Sequence, residues 1–193
     1  LRDQKTGELV PWEVCQTFSG SWGYNRDEMT WKTPEMLIRM LIKTVATGGN
    51  LLLNVGPTAR GFFDNRAKRA LSGIGEWMKY NSRSIYGCTK AEPEFTAPNG
   101  TYLTQSEDGS RLYIHLFSYP FKTLMMDNLA DQIDYAQFLH DGSEVLYQTE
   151  TVSMKLEAGS ENDMGAADPK RVRFTLPVVK PNQLVPVIEI FLK

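Results

Sequence analysis

The segment from Trp12 to Val55 constrains this chain more than any other. It reads as a short strand carrying Trp12 and Glu13, a loop crowded with Trp22, Tyr24, Asp27, Glu28 and Trp31, an amphipathic helix, and an apolar strand ending in Asn54. Strand, helix, strand is one turn of a parallel β/α architecture, because parallel neighbours need a crossover and a helix is the usual one. Aromatic and acidic groups collected just after a strand's carboxyl end lie where α/β barrels do their chemistry.

Local signals support this order. Thr33 before Pro34 and Glu35 predicts a helix start: the hydroxyl can cap free amides, proline suits the first turn, and a carboxylate suits the positive end of the dipole. Leu37, Met40, Leu41, Thr44 and Val45 follow at helical spacing, and Gly48 and Gly49 stop the helix. Leu51, Leu52, Leu53 and Val55 are apolar on both faces, as a parallel strand buried on both sides would be. A second helix is expected from Asp64 or Asn65, with Ala67, Ala70, Leu71, Ile74, Trp77 and Met78 as its apolar stripe. Two strands and two helices fall short of a closed barrel, which needs eight repeats and about 250 residues. LRDQKTGELV has neither an initiator Met nor a signal-like segment. The expectation is therefore the carboxy-terminal portion of a longer protein.

The pattern changes after Tyr86. Short strands are expected over 101–105, 111–117, 133–139, 145–149, 171–176 and 187–192, separated by turn signals such as SEDGS and HDGSE. RLYIHLF and VIEIFLK alternate, which predicts one apolar and one polar face. Six such strands suggest an antiparallel β-sandwich. The expected division is residues 1–88 and 89–193, with a boundary near 87–93 and a long surface loop from Glu157 to Lys170.

Bulk properties exclude more than they select. The chain has 193 residues, 41% of them hydrophobic, and a formal net charge of -2. It has no basic patch for nucleic acid and no apolar run long enough to span a bilayer. Cys15, in an expected buried strand, and Cys88 fit no metal-site spacing, and both a free thiol and a single disulfide stay open. His115 and His140, both read as lying on sandwich strands, do not supply a zinc site or a Ser/His/Asp triad.

WEVCQTFSGSWGYN, WKTPEMLIRMLI, GGNLLLNVGPTARG and GEWMKYNSRSIYG stand in unbroken order between residues 11 and 87. Together they resemble the end of the catalytic barrel of the α-L-fucosidases of glycoside hydrolase family 29. The resemblance implies an α/β plus all-β fold: the last β/α units of a TIM-like (β/α) barrel, with residues 12–17 as its seventh strand and 50–55 as its eighth, followed by an antiparallel β-sandwich. It implies a retaining exo-glycosidase that releases terminal L-fucose from glycans without a cofactor; the sequence does not fix its location, and analogy alone points to an exported one, periplasmic, secreted or lysosome-like. Retention needs two carboxyl groups about 5 Å apart. In the family the nucleophile is an aspartate in a Trp-rich motif that this sequence lacks, so the missing barrel portion is an implied partner.

The resemblance makes Glu13 the candidate acid/base within this chain, although in several members that group lies on a loop upstream of the matching position. Trp22 matches an aromatic lining the pocket for the C5 methyl of fucose, where an apolar ring leaves the hydroxyl of galactose unpaired. Trp12 is a second substrate-binding candidate.

Each has a structural alternative. Glu13 can be a strand-end carboxylate holding a loop amide or an arginine, and Trp12 can pack under the barrel. Asp27 and Glu28 read first as a solvated charged loop and Tyr24 and Trp31 as loop anchors; the alternative for Trp22 is a core position, against which Ser19, Gly20, Ser21 and Gly23 around it signal an exposed turn. Asn54 is expected to hydrogen-bond across the barrel mouth. The competing function class is a non-catalytic carbohydrate-binding or structural sandwich; the aromatics Tyr102, Tyr113, Phe117, Tyr119 and Phe121 are needed for strand packing in any case, which favours bracing over binding.

Overall fold

A computed structural model of the chain describes residues 3–7, 10–149 and 170–193. Its elements are β1 (Glu13–Thr17), α1 (Pro34–Ala46), β2 (Asn50–Asn54), α2 (Asn65–Asn81), β3 (Cys88–Lys90), β4 (Thr101–Ser106), β5 (Arg111–Leu116), β6 (Thr123–Met126), β7 (Ile133–Phe138), β8 (Tyr147–Thr149), β9 (Val172–Thr175) and β10 (Val187–Leu192).

Both helices begin where their caps predict. Thr33 Oγ1 accepts from the Met36 amide at 3.2 Å and Asp64 Oδ1 from the Arg66 amide at 2.7 Å, each satisfying an amide that the first turn leaves free. α1 ends ahead of Gly48 and Gly49, and β2 returns parallel to β1 in a register running from Glu13↔Asn50 to Thr17↔Asn54.

Among the described residues the strands form this parallel pair, a five-stranded sheet in the order β3-β4-β5-β10-β7 and a three-stranded sheet in the order β6-β9-β8, the last two antiparallel throughout. One apolar core lies between the two antiparallel sheets and includes Leu112, Ile114, Phe138, Phe174 and Ile190. A second joins the helices to the other face of the five-stranded sheet through Ile38, Ile42, Trp77, Tyr113 and Val187. A third, around Phe18, Leu37 and Ala70, ties the helices to the parallel pair. The helices thus form a layer covered on both sides.

That double cover accounts for several departures from the sequence reading. Ile38 and Ile42, outside the expected stripe of α1, have no exposed surface because they meet the five-stranded sheet. Burying such a side chain is worth roughly 2 kcal/mol. Leu71 on α2 is exposed instead. β5 and β10 have no solvent face: the expected polar sides carry Tyr113, His115 and Glu189, all buried against the helix layer. Glu189 survives burial by accepting from Gln137 Nε2 at 2.6 Å and Arg83 Nη2 at 3.0 Å.

Other expectations also change. Leu52 is 51% exposed and Cys15 is exposed, because the parallel pair carries a helix layer on one face only among the described residues. Both cysteines are free. Trp77, by contrast, is buried as its place in the apolar stripe of α2 predicts, with Nε1 donating to Val185 O at 2.8 Å. His140 lies in the turn after β7, not on a strand. β3 and β6 are strands additional to those expected. The expected loop from Glu157 lies outside the described residues up to Lys170. Among the described residues no helix is long and apolar enough to cross a membrane.

Candidate active-site edge

Leaving β1, the chain runs through 18–33 without regular secondary structure before α1 starts, and side chains rather than a backbone ladder fix its path. Glu28 is the hub. Its Oε2 accepts from Ser21 Oγ at 2.5 Å, and its Oε1 accepts from the Thr30 amide at 2.8 Å and Thr30 Oγ1 at 2.6 Å. These donors, led by the Ser21 hydroxyl, hold its carboxyl down at about 2. A carboxylate with that affinity for protons and both oxygens engaged is a structural acceptor, not an acid at neutral pH. Asp27 stays in solvent, 3.2 Å from the equally exposed Arg26.

Elements of the next β/α unit clamp this loop. Asn54, the last residue of β2, expected to bond across a barrel mouth, donates from Nδ2 to Trp22 O of the neighbouring loop at 2.5 Å. Gly56 lies against the Gly23–Tyr24 peptide so closely that a Cβ there would stand 2.3 Å from the Tyr24 nitrogen. From the first turn of α2, Arg66 donates to Glu28 O at 2.9 Å and Arg26 O at 3.2 Å. Its guanidinium lies over the Trp31 ring, 4.7 Å from the centroid. Hydrogen bonding to Asp64 raises the Arg66 pKa further and lowers that of Asp64. Trp31, fastened also by Nε1 to Glu28 O at 3.1 Å, is the loop anchor expected of it.

Trp22, between these fastenings, is 64% exposed. The structure therefore presents an indole on a fixed backbone just beyond the carboxyl ends of two parallel strands. Such a ring can supply an apolar wall to a ligand.

Glu13 and Trp12 lie elsewhere. Glu13 opens β1, four residues before the carboxyl end, which is about 13 Å along a strand. It is exposed, with no side-chain hydrogen bond or ion pair among the described residues. The Trp12 ring packs over Gly49 and lines a groove between β1 and α1 with Val14, Met36, Met40 and Lys43. The structure thus separates Trp22 from Trp12 and Glu13. Among the described residues no group of three His, Cys, Asp or Glu could hold a metal.

Asn54 was legible from its place at a strand end. Arg66 and the hub role of Glu28 were missed. One signal for Arg66 existed: a cation just inside a helix start opposes the dipole, which calls for a compensating partner.

The family model for alpha-L-fucosidase matches residues 2–83. The alpha-L-fucosidase of Dictyostelium discoideum is 31% identical over 183 residues, covering 93% of this chain and 37% of that protein. Human plasma alpha-L-fucosidase is 41% identical over 85 residues, 42% of this chain and 18% of that protein. Alpha-L-fucosidase isoenzyme 1 from Paenibacillus thiaminolyticus superposes with a TM-score of 0.82 at 31% identity, covering 100% of this chain and 44% of that structure. The chain thus spans less than half the length of these relatives. In sequence and in backbone, it belongs to the α-L-fucosidase family.

Proposed function

We propose that this chain is part of a retaining, exo-acting α-L-fucosidase that hydrolyses terminal α-L-fucose from glycans. Residues 1–88 supply the closing β/α units of its catalytic barrel, and residues 89–193 form a β-sandwich that braces them. The observation carrying this reading is the parallel β1–β2 pair, whose carboxyl ends lead into a loop clamped so that Trp22 stands exposed at one edge. Each of these strands has a single strand neighbour among the described residues, which supports further strands on either side.

Retaining hydrolysis uses one carboxylate to attack the anomeric carbon and a second carboxyl group to protonate the departing oxygen, then to activate water. In this reading the nucleophile belongs to a segment outside residues 1–193. Trp22 supplies the apolar wall against the sugar methyl, rejecting a sugar whose extra hydroxyl would go unpaired there. The position of Glu13 at the amino-terminal end of β1 speaks against the acid role, and its exposed carboxylate holds no loop amide or arginine among the described residues, while the packing of Trp12 over Gly49 supports a structural role for that ring.

Bracing fits the antiparallel part better than glycan binding. Tyr113 is buried, and Tyr102 and Phe117 stack at 4.6 Å beneath the cations of Arg39 and Lys43. Of the five aromatics, Phe121 stands exposed, and one ring makes no binding row.

The test is hydrolysis of an aryl α-L-fucoside. The 193-residue chain alone is expected to give no turnover, and the full-length protein carrying this sequence is expected to be active. Turnover by the chain alone would overturn the external nucleophile, and an inactive full-length protein would overturn the assigned reaction.

A further inference from the structure

We infer that Arg66 is a positioning residue for the Trp22 wall, acting through Glu28 from the far side of the loop; the inference rests on the sugar-facing role of Trp22 proposed above. At the second position of α2 a guanidinium stands against the positive end of the helix dipole, so capping does not account for it. Its contacts do. The fork takes two backbone carbonyls at once, Glu28 O and Arg26 O, while Nε and Nη2 return to the Asp64 carboxylate at 2.9 and 3.1 Å. A planar guanidinium can meet acceptors in three directions and still stack on Trp31, and an ammonium cannot.

From Glu28 the constraint passes directly to the wall. The carboxylate grips the Ser21 hydroxyl, and Ser21 is the residue before Trp22. On the other side the Trp22 carbonyl is held by Asn54. The backbone that carries the indole is thus held from two points of the following β/α unit, with Arg66 locking the remoter one. Without Arg66 the Arg26–Glu28 carbonyls lose their shared donor, and the segment carrying Ser21 and Trp22 gains freedom. An apolar wall that shifts by an ångström discriminates less between a methyl and a hydroxymethyl group.

The experiment compares kcat/KM for an aryl α-L-fucoside and the matching aryl α-L-galactoside, which differ by one hydroxyl, in the full-length enzyme carrying this sequence. Trp22→Ala tests the wall, and Arg66→Ala and Arg66→Lys test its positioning, with melting temperatures recorded for each. The expected result is loss of fucoside preference in Trp22→Ala, a fall on the order of tenfold in Arg66→Ala, and an intermediate fall in Arg66→Lys. Should Arg66→Ala fail to fold, Arg66→Lys carries the test. Arg66 variants that lower both substrates in equal proportion, beside a Trp22→Ala enzyme that has lost its preference, would overturn the positioning role and leave the wall standing. Unchanged preference in Trp22→Ala would overturn the wall, and this inference with it.

Discussion

His115 gives the chain an acid sensitivity whose size follows from its surroundings. It sits on β5 with 0% exposure, and removal from water holds its imidazole down at about 3. Nε2 lies 2.9 Å from Thr104 Oγ1, and that hydroxyl donates to Ser84 O at 2.7 Å. The ring is therefore the Nε2–H tautomer, inferred from this network, and Nδ1 is a buried acceptor without a partner. Protonation would place a second N–H where nothing accepts it, with the Trp77 ring centroid 6.5 Å away.

The sign follows from linkage. Below an ordinary histidine pKa of about 6.5 the unfolded chain takes up a proton that the folded one refuses, so stability is full above that pH and falls toward about 3. Between pH 7 and 5 the loss is roughly 2 kcal/mol, and complete titration costs roughly 5 kcal/mol. His115→Gln keeps an N–H toward Thr104 and does not titrate. Urea unfolding of both proteins at pH 7, 6 and 5 measures the difference. Carboxylates such as Glu28 and Asp108, each held at about 2, are common to both and cancel. The parent is expected to lose roughly 2 kcal/mol more than the variant between pH 7 and 5. Parallel stability curves would refute the argument.

Trp77→Phe removes the buried donor to Val185 O and opens a gap among Ile38, Ile42 and Val187, for a loss of about 2–4 kcal/mol in chemical denaturation; a loss below about 1 kcal/mol would contradict that packing. Gly56→Ala pushes a methyl into the Gly23–Tyr24 peptide, so a cost of about 1–3 kcal/mol and a raised KM for an aryl fucoside in the full-length enzyme are expected together. Glu13→Gln is expected to slow activated and unactivated aryl fucosides equally and slightly, whereas a loss of orders of magnitude confined to poor leaving groups would make Glu13 the acid. In the 193-residue chain a thiol reagent at pH 8 should label exposed Cys15 well before Cys88, whose thiol burial pushes up to about 11; equal rates would show the β3 edge opening.

The candidate site was partly legible. Trp22 declares itself through the small residues around it, and Asn54 through its place at the end of an apolar run. Arg66 shows only as a cation misplaced at a helix start, because its carbonyl partners at Glu28 and Arg26 lie 38 and 40 residues away and nothing local marks a distant backbone oxygen as an acceptor. Glu28 in an NRDE run has the composition of a solvated loop. Only the approach of Ser21 and Thr30 makes it a hub.

The amino-acid sequence by itself determined the β-α-β order, the caps at Thr33 and Asp64 and most of the later strands, since each depends on neighbours within a few residues. Tertiary structure alone decided which faces are covered. Alternation in RLYIHLF marks two faces of a strand but does not say what lies beyond either. The helix layer packed over β5 and β10 buries their polar sides, where Tyr113 donates to Glu189 and His115 pairs separately with Thr104. Burial is a property of two surfaces meeting, and the second surface here comes from α1 and α2, far away along the chain.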